Sequence, residues 1–226
     1  MVECDEERRH GRKDAGVHVA LNTDYQRRTG KSDLYVNLST RQLVYSSTEK
    51  NMKVILIRHT SVDVPKGVCY GQTDVPVAAT FPEEAEMTKK ALGDRTFDAV
   101  FSSPLTRARL LADYCGYPAP VTDNRLMEMN MGDWEMKRYD DIKDDNLQKW
   151  YDDYMHVATT NGESFPMVYE RVAGFLDELK QKPYRQVAIF AHCGVLLCAG
   201  IYGGLFREEG CFEHTVEYGG IEEIEI

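Results

Sequence analysis

The chain has 226 residues, 42% of them hydrophobic, and a formal net charge of −10 from 37 acidic against 27 basic side chains. That balance describes a globular protein able to bury a core, and its acidity argues against nucleic acid or an anionic membrane surface as a partner. The six Cys lack C-x-x-C or Cys/His metal spacing and the first residues lack a signal peptide's apolar stretch, so reduced thiols and a cytoplasmic location are expected.

Residues 1–51 are polar and Arg-rich, and are expected to be an extension, disordered or loosely docked. Only DLYVNLSTRQLVYSS, from Asp33 to Ser47, alternates enough to suggest a hairpin. Met52 reads as the start of the domain, and as a candidate translation start, because regular patterning begins there.

Val54 to Ile57 is a wholly aliphatic run, as in a strand buried on both faces of a parallel sheet. Pro82 to Leu92 opens with Pro and acids and predicts a helix. Phe97 to Phe101 predicts a second strand, after which Ser103 and Pro104 offer an N-cap and first position for a helix carrying Thr106 to Tyr114. Asp123 to Glu135 reads as a loop, Lys137 to Tyr154 as an acidic helix and Phe165 to Gln181 as a further helix.

Residues 187–206 could span a bilayer by length alone. With His192 and four Gly inside, they are better read as a buried strand, Val187 to Ala191, a turn, and a helix from Val195 to Leu205. The tail from Cys211 alternates around Gly219-Gly220 and suggests an edge hairpin. Strands alternating with helices predict a three-layer α/β/α sandwich over residues 52–226, its sheet mostly parallel with an antiparallel edge.

In such sheets the ligand crevice lies beyond the carboxyl ends of the strands. Here those ends carry Arg58-His59, then Ser102-Ser103 with Arg107 one turn later, then His192. Singly, a His or Arg at a strand end is more often structural. Together, two guanidinium forks and two imidazoles describe a phosphoryl site, with Arg107 near a helix N-terminus that already favours an anion.

A departing alkoxide needs a proton, and Glu128 is the best-placed donor, whereas Asp133, Trp134 and Glu135 read as scaffolding of the same loop. There is no G-x-S-x-G elbow, no Cys followed six residues later by Arg, no Walker A and no G-x-G-x-x-G. The acidic residues from Asp140 to Asp153, with His156, read as a solvated face rather than a metal cluster.

Leu56-Ile-Arg-His-Thr60, Ser102-Ser-Pro-Leu-Thr-Arg-Ala108, Leu126-Met-Glu128, Gly132-Asp-Trp-Glu135 and Ala191-His-Cys-Gly-Val195, in this order, resemble the histidine phosphatase (phosphoglycerate mutase-like) superfamily. Gly67 to Pro76 and Thr160 to Ser164 look most like the α-ribazole-5′-phosphate phosphatases of cobalamin synthesis. The resemblance implies a phosphoglycerate mutase-like fold, His59 as the nucleophile, Arg58, Arg107 and His192 as the phosphate pocket, and Glu128 as acid and then base. It implies neither metal nor organic cofactor, and a small phosphate ester as the partner, with the oligomeric state open.

The chain departs from the family pattern where Thr60-Ser61 replace Gly-Glu, Pro65 stands near a usual Asn, and Cys193 replaces a commoner Gly. Thr60 and the loop Tyr70, Gly71, Gln72 and Thr73 are therefore the candidate substitutes for one phosphate contact. The competing readings are a broad-specificity phosphatase, a phosphoglycerate mutase, and a silent phospho-ligand module on the same fold.

Overall fold

The computed structural model describes residues 51–226 and, ahead of them, two strands. These are β1 (Asp33–Asn37) and β2 (Gln42–Ser46), paired antiparallel with Asp33 opposite Ser46, in the segment whose alternation suggests a hairpin. The disorder expected for the rest of residues 1–50 lies outside the described residues. Residues 51–226 form a compact unit of their own.

That unit is built on β3 (Lys53–Arg58), whose Val54, Ile55, Leu56 and Ile57 are all buried. Successive side chains of a strand point to opposite faces, so this run can be accommodated only where both faces are covered. Val54 and Leu56 join one core with Val187, Ile189 and the apolar sides of α4 (Phe165–Lys180) and α5 (Cys193–Tyr202). Ile55 and Ile57 join the other, with Ala188, Phe190 and residues of α1 (Phe81–Leu92) and α2 (Thr106–Tyr114). Each such aliphatic side chain contributes about 1.5–3 kcal/mol on burial. The result is the expected α/β/α sandwich.

The sheet order is β5-β4-β6-β3-β7, comprising β4 (Ala99–Ser102), β5 (Val121–Thr122), β6 (Gln186–Ala191) and β7 (Ile221–Glu225). The first four run parallel and β7 is antiparallel to β3, so β3, β4 and β6 open their carboxyl ends on one edge. Among the described residues no helix is long and apolar enough to cross a membrane.

Several elements differ from the sequence reading. α2 starts at Thr106, not Pro104, because the Asp74 carboxylate accepts both the N–H and the hydroxyl of Thr106 and replaces a local cap. The acidic helix shrinks to α3 (Asn146–Asp152), since Lys137 to Tyr139 hydrogen-bond instead to Gly67 and Cys69, and Asp144 accepts from Trp134 Nε1 and Asn146 N. Aspartates that bond nearby N–H groups favour caps over helix interiors.

The C-terminal hairpin does not form. Residues 211–214 make a 3-10 turn and β7 pairs with β3 instead, satisfying an edge that would otherwise expose its ladder. Gly219 and Gly220 consequently flank the site: Gly219 N–H donates to the His59 carbonyl, and Arg58 N–H to the Gly220 carbonyl.

Candidate active site

His59 follows β3 directly, gripped by its own N–H donating to Ala191 O and by Gly219 donating to its carbonyl. Its ring is 3% exposed and lies 5.1 Å, centroid to centroid, from that of His192, which follows β6 and is fully buried. Thus the parallel pairing of β3 with β6 brings the two imidazoles together.

The His59 Nδ1 is 2.7 Å from the carbonyl of Thr60. A carbonyl only accepts, so Nδ1 carries the proton and Nε2 is left with its lone pair. The imidazole is pushed down from 6.5 to about 3, first by burial and then by the charges of Arg107 and Arg58, with the Thr60 bond acting in the opposite sense. His192 is likewise held well below its ordinary value, first by burial and then by His59 and the guanidinium groups around it. Its Nε2 meets the Ser103 hydroxyl at 2.7 Å.

Arg107 is fully buried at the start of α2 and donates to the carbonyls of Gly71 (2.6 Å) and Thr73 (3.0 Å). Arg58 donates to Val216 O, and its guanidinium lies 4.1 Å above the ring of Tyr218. Four residues at the strand ends each keep one buried polar atom without a protein partner: Arg58 Nε, Arg107 Nε, Thr60 Oγ1 and His192 Nδ1. Burying such atoms unpaired costs about 1–3 kcal/mol each, which a polyvalent oxyanion offsets on binding.

Glu128 reaches the same place from the far side. Its carboxylate accepts from Met129 N (2.9 Å) and from Gly194 N (3.3 Å) in the first turn of α5. A β-carbon at Gly194 would stand 2.6 Å from the Glu128 oxygen, so only glycine leaves room for that approach.

Arg58, His59, Tyr70 and Glu128 line one end of a cavity of about 550 Å³. Thr60, Gly71 to Thr73, Arg107 and His192 are not on its wall; Arg107 and His192 lie buried behind it, His192 with its ring against that of His59. The N–H groups of Gly71, Gln72 and Thr73 are all turned to the carboxylate of Glu135, which also takes the Thr73 hydroxyl. This loop therefore works indirectly: its carbonyls orient Arg107, and Gln72 Nε2 donates to the Glu128 carbonyl. Burial opposes the charge on Glu135, yet the bonds from Thr73, Gly71, Gln72 and Met131 together hold its carboxyl below the ordinary range.

Three contributors were not singled out in the sequence. Arg171, on α4, donates to the carbonyls of Arg125, Met127 and Glu128 and pairs with Glu163, whose other bond comes from Asn130 N. This pair encloses the backbone on which Glu128 rides. The signal was a lone Arg between apolar same-face neighbours of the helix, three residues after Val168 and four before Phe175. Tyr218, beside Arg58 and 5.6 Å from the His59 ring, was hidden in the segment expected to form a hairpin. Its hydroxyl meets that of Tyr70 at 3.1 Å.

Comparison with known proteins returns a family for the chain. The description "Histidine phosphatase superfamily (branch 1)" matches residues 54–209. The adenosylcobalamin/alpha-ribazole phosphatase of Escherichia coli K12 is 32% identical over 187 residues, 77% of this chain and 90% of that protein. Phosphoserine phosphatase 1 of Hydrogenobacter thermophilus is 26% identical, over 61% of this chain and 69% of its own length. The crystal structure of the alpha-ribazole phosphatase from Shigella flexneri superposes with a TM-score of 0.72 at 31% identity, covering 77% of this chain and 91% of that one.

Proposed function

The chain belongs to the histidine phosphatase superfamily, and on that premise we propose that it hydrolyses a small phosphomonoester through a phosphohistidine on His59, its substrate being α-ribazole 5′-phosphate in the assembly of the cobalamin nucleotide loop. The observation that carries the hydrolytic reading is the neutral, Nδ1-protonated His59 set among buried, unpaired polar atoms of Arg58, Arg107, Thr60 and His192. Relatives carrying the alpha-ribazole phosphatase name support the substrate.

In this mechanism His59 Nε2 attacks phosphorus in line, and a P–N bond forms as the P–O bond to the sugar breaks. Arg58, Arg107 and His192 stabilise charge on the equatorial oxygens. Glu128 gives its proton to the departing oxygen. The resulting carboxylate then takes a proton from water, whose oxygen attacks phosphorus and releases inorganic phosphate, restoring neutral His59. A silent binding module would need none of this, and the retention of His59, Arg107, Glu128 and His192 in the sequence argues against it.

A panel of α-ribazole 5′-phosphate, phosphoserine and 3-phosphoglycerate, run with and without chelator, tests the reading. The expected result is a preference for α-ribazole 5′-phosphate of at least about tenfold in kcat/KM, unaffected by chelation. Mutase turnover, or equal use of all three, would remove the substrate assignment.

A further inference from the structure

The alternation around Gly219-Gly220 folds into a tight turn at the carboxyl edge of the sheet. Gly220 N–H donates to the Glu217 carbonyl at 2.9 Å, closing a four-residue turn in which Gly219, the third residue, has a φ of 70°. Positive φ at that position calls for glycine, and a β-carbon there would stand 2.7 Å from the Thr88 hydroxyl. That hydroxyl, on a buried residue of α1, donates to the Gly219 carbonyl at 2.7 Å and anchors the turn from behind.

The anchored segment grips two residues. Val216 O accepts from Arg58 Nη1, Gly220 O accepts from the Arg58 N–H, and Gly219 N–H donates to the His59 carbonyl. Tyr218 places its ring centroid 4.1 Å from the Arg58 guanidinium carbon and 5.6 Å from the His59 ring. Its hydroxyl meets that of Tyr70 at 3.1 Å, and the Tyr70 ring lies 5.6 Å from the guanidinium of Arg107. The two guanidinium groups are thus joined through two phenols.

We propose that Tyr218 is a positioning residue for phosphoryl binding: its ring holds the Arg58 guanidinium in place, and its hydroxyl, through Tyr70, is a secondary brace. The inference rests on the phosphatase reading and adds to it the residue that sets one of the two phosphate forks.

The two forks are supported unequally. Arg107 is fully buried and donates from both terminal nitrogens to carbonyls, which fixes its plane. Arg58 is part-buried, and among the described residues its guanidinium makes one hydrogen bond, from Nη1 to Val216 O, and no ion pair. One bond leaves the fork free to swing about that contact. An aromatic face supplies a second constraint, because a guanidinium is attracted to the ring without giving up an N–H donor. A carboxylate in the same place would occupy those donors and offset the charge that a phosphate needs. A fork held before the anion arrives need not be ordered on binding.

The test reads affinity and turnover separately, with inorganic phosphate by calorimetry and with p-nitrophenyl phosphate as a generic monoester. Tyr218→Leu should weaken phosphate binding about tenfold and lower kcat/KM by about 10- to 30-fold. Tyr218 is 38% exposed, so this change uncovers little of the core. Tyr218→Phe keeps the ring, loses only the hydroxyl bridge, and should cost about two- to threefold in both readouts. In an Arg58→Met background, Tyr218→Leu should add less than about twofold, since the group it orients is gone. A residue that merely stabilises the turn would lower the thermal midpoint and impose its full loss in either background.

Phosphate affinity within about twofold of wild type in Tyr218→Leu, or a further loss of about tenfold in the Arg58→Met background, overturns the proposal. So does a loss of about tenfold in Tyr218→Phe, a variant that retains the packing of the ring and keeps the proposal open to refutation if Tyr218→Leu does not fold. Weakened phosphate binding in Tyr218→Leu, without turnover of the monoester by the wild type, would instead remove the hydrolase reading and leave the role of Tyr218 standing.

Discussion

His59 attacks phosphorus only while its Nε2 is free of a proton, and its surroundings secure that in two ways. The Thr60 carbonyl places the proton on Nδ1, and burial with two neighbouring guanidinium groups pushes the imidazole down to about 3. Burial is the larger cause, and burial is not legible in a string of letters. Two consequences follow in pH. The His59 ring signal, read by NMR, should stay flat from pH 8 to pH 5, and a titration near 6.5 would contradict its placement. Because the unfolded chain takes up a proton at about 6.5 and the folded one at about 3, the folded state binds fewer protons in that window. Stability in urea should therefore decline as pH falls below about 6.5, with His192 acting in the same direction.

At the scale of elements, α4 does more than cover the sheet. Its apolar face packs on β3 and β6, while Arg171 reaches out to the carbonyls of Arg125, Met127 and Glu128 and is braced by Glu163. A residue that fixes the proton donor without touching substrate should affect the chemical step more than binding. Arg171→Met is expected to lower kcat by about 10- to 100-fold with little change in KM, and to raise the amount of substrate bound without turnover. A rise in KM at constant kcat would show that Arg171 acts on substrate affinity instead.

The strands and long helices were legible because aliphatic runs and 3.6-residue periodicity report burial directly. The acidic segment misled because Asp144 serves as a cap and as the partner of Trp134, a role set by tertiary contact. The tail misled for a related reason. Its alternation is real, but its partner is β3, almost 170 residues earlier. The loop from Gly71 to Thr73 was found as part of the site, yet its N–H groups are spent on Glu135, which sequence reasoning took for scaffolding and which is the hub of that loop.

For the molecule as a whole, the unit from Asn51 to Ile226 contains every residue placed at the candidate site. Met52 is buried, and its backbone exchanges both hydrogen bonds with Ile226, closing the sheet's outer pair. A chain beginning at Met52 is accordingly expected to keep the thermal midpoint and turnover of the full chain. A fall in midpoint of more than about 4 °C, on the order of 1–2 kcal/mol for this size, would show that the preceding residues stabilise the domain.

The architecture converges three strand ends on one point, and the account stands or falls on what happens there. Rapid acid-free quenching of the enzyme during turnover of ³²P-labelled α-ribazole 5′-phosphate, followed by peptide mapping, addresses this directly. The account predicts label that is stable to alkali, lost in acid, carried by the peptide containing His59, and absent from His59→Ala. Label on another residue, or full turnover by His59→Ala, would contradict it.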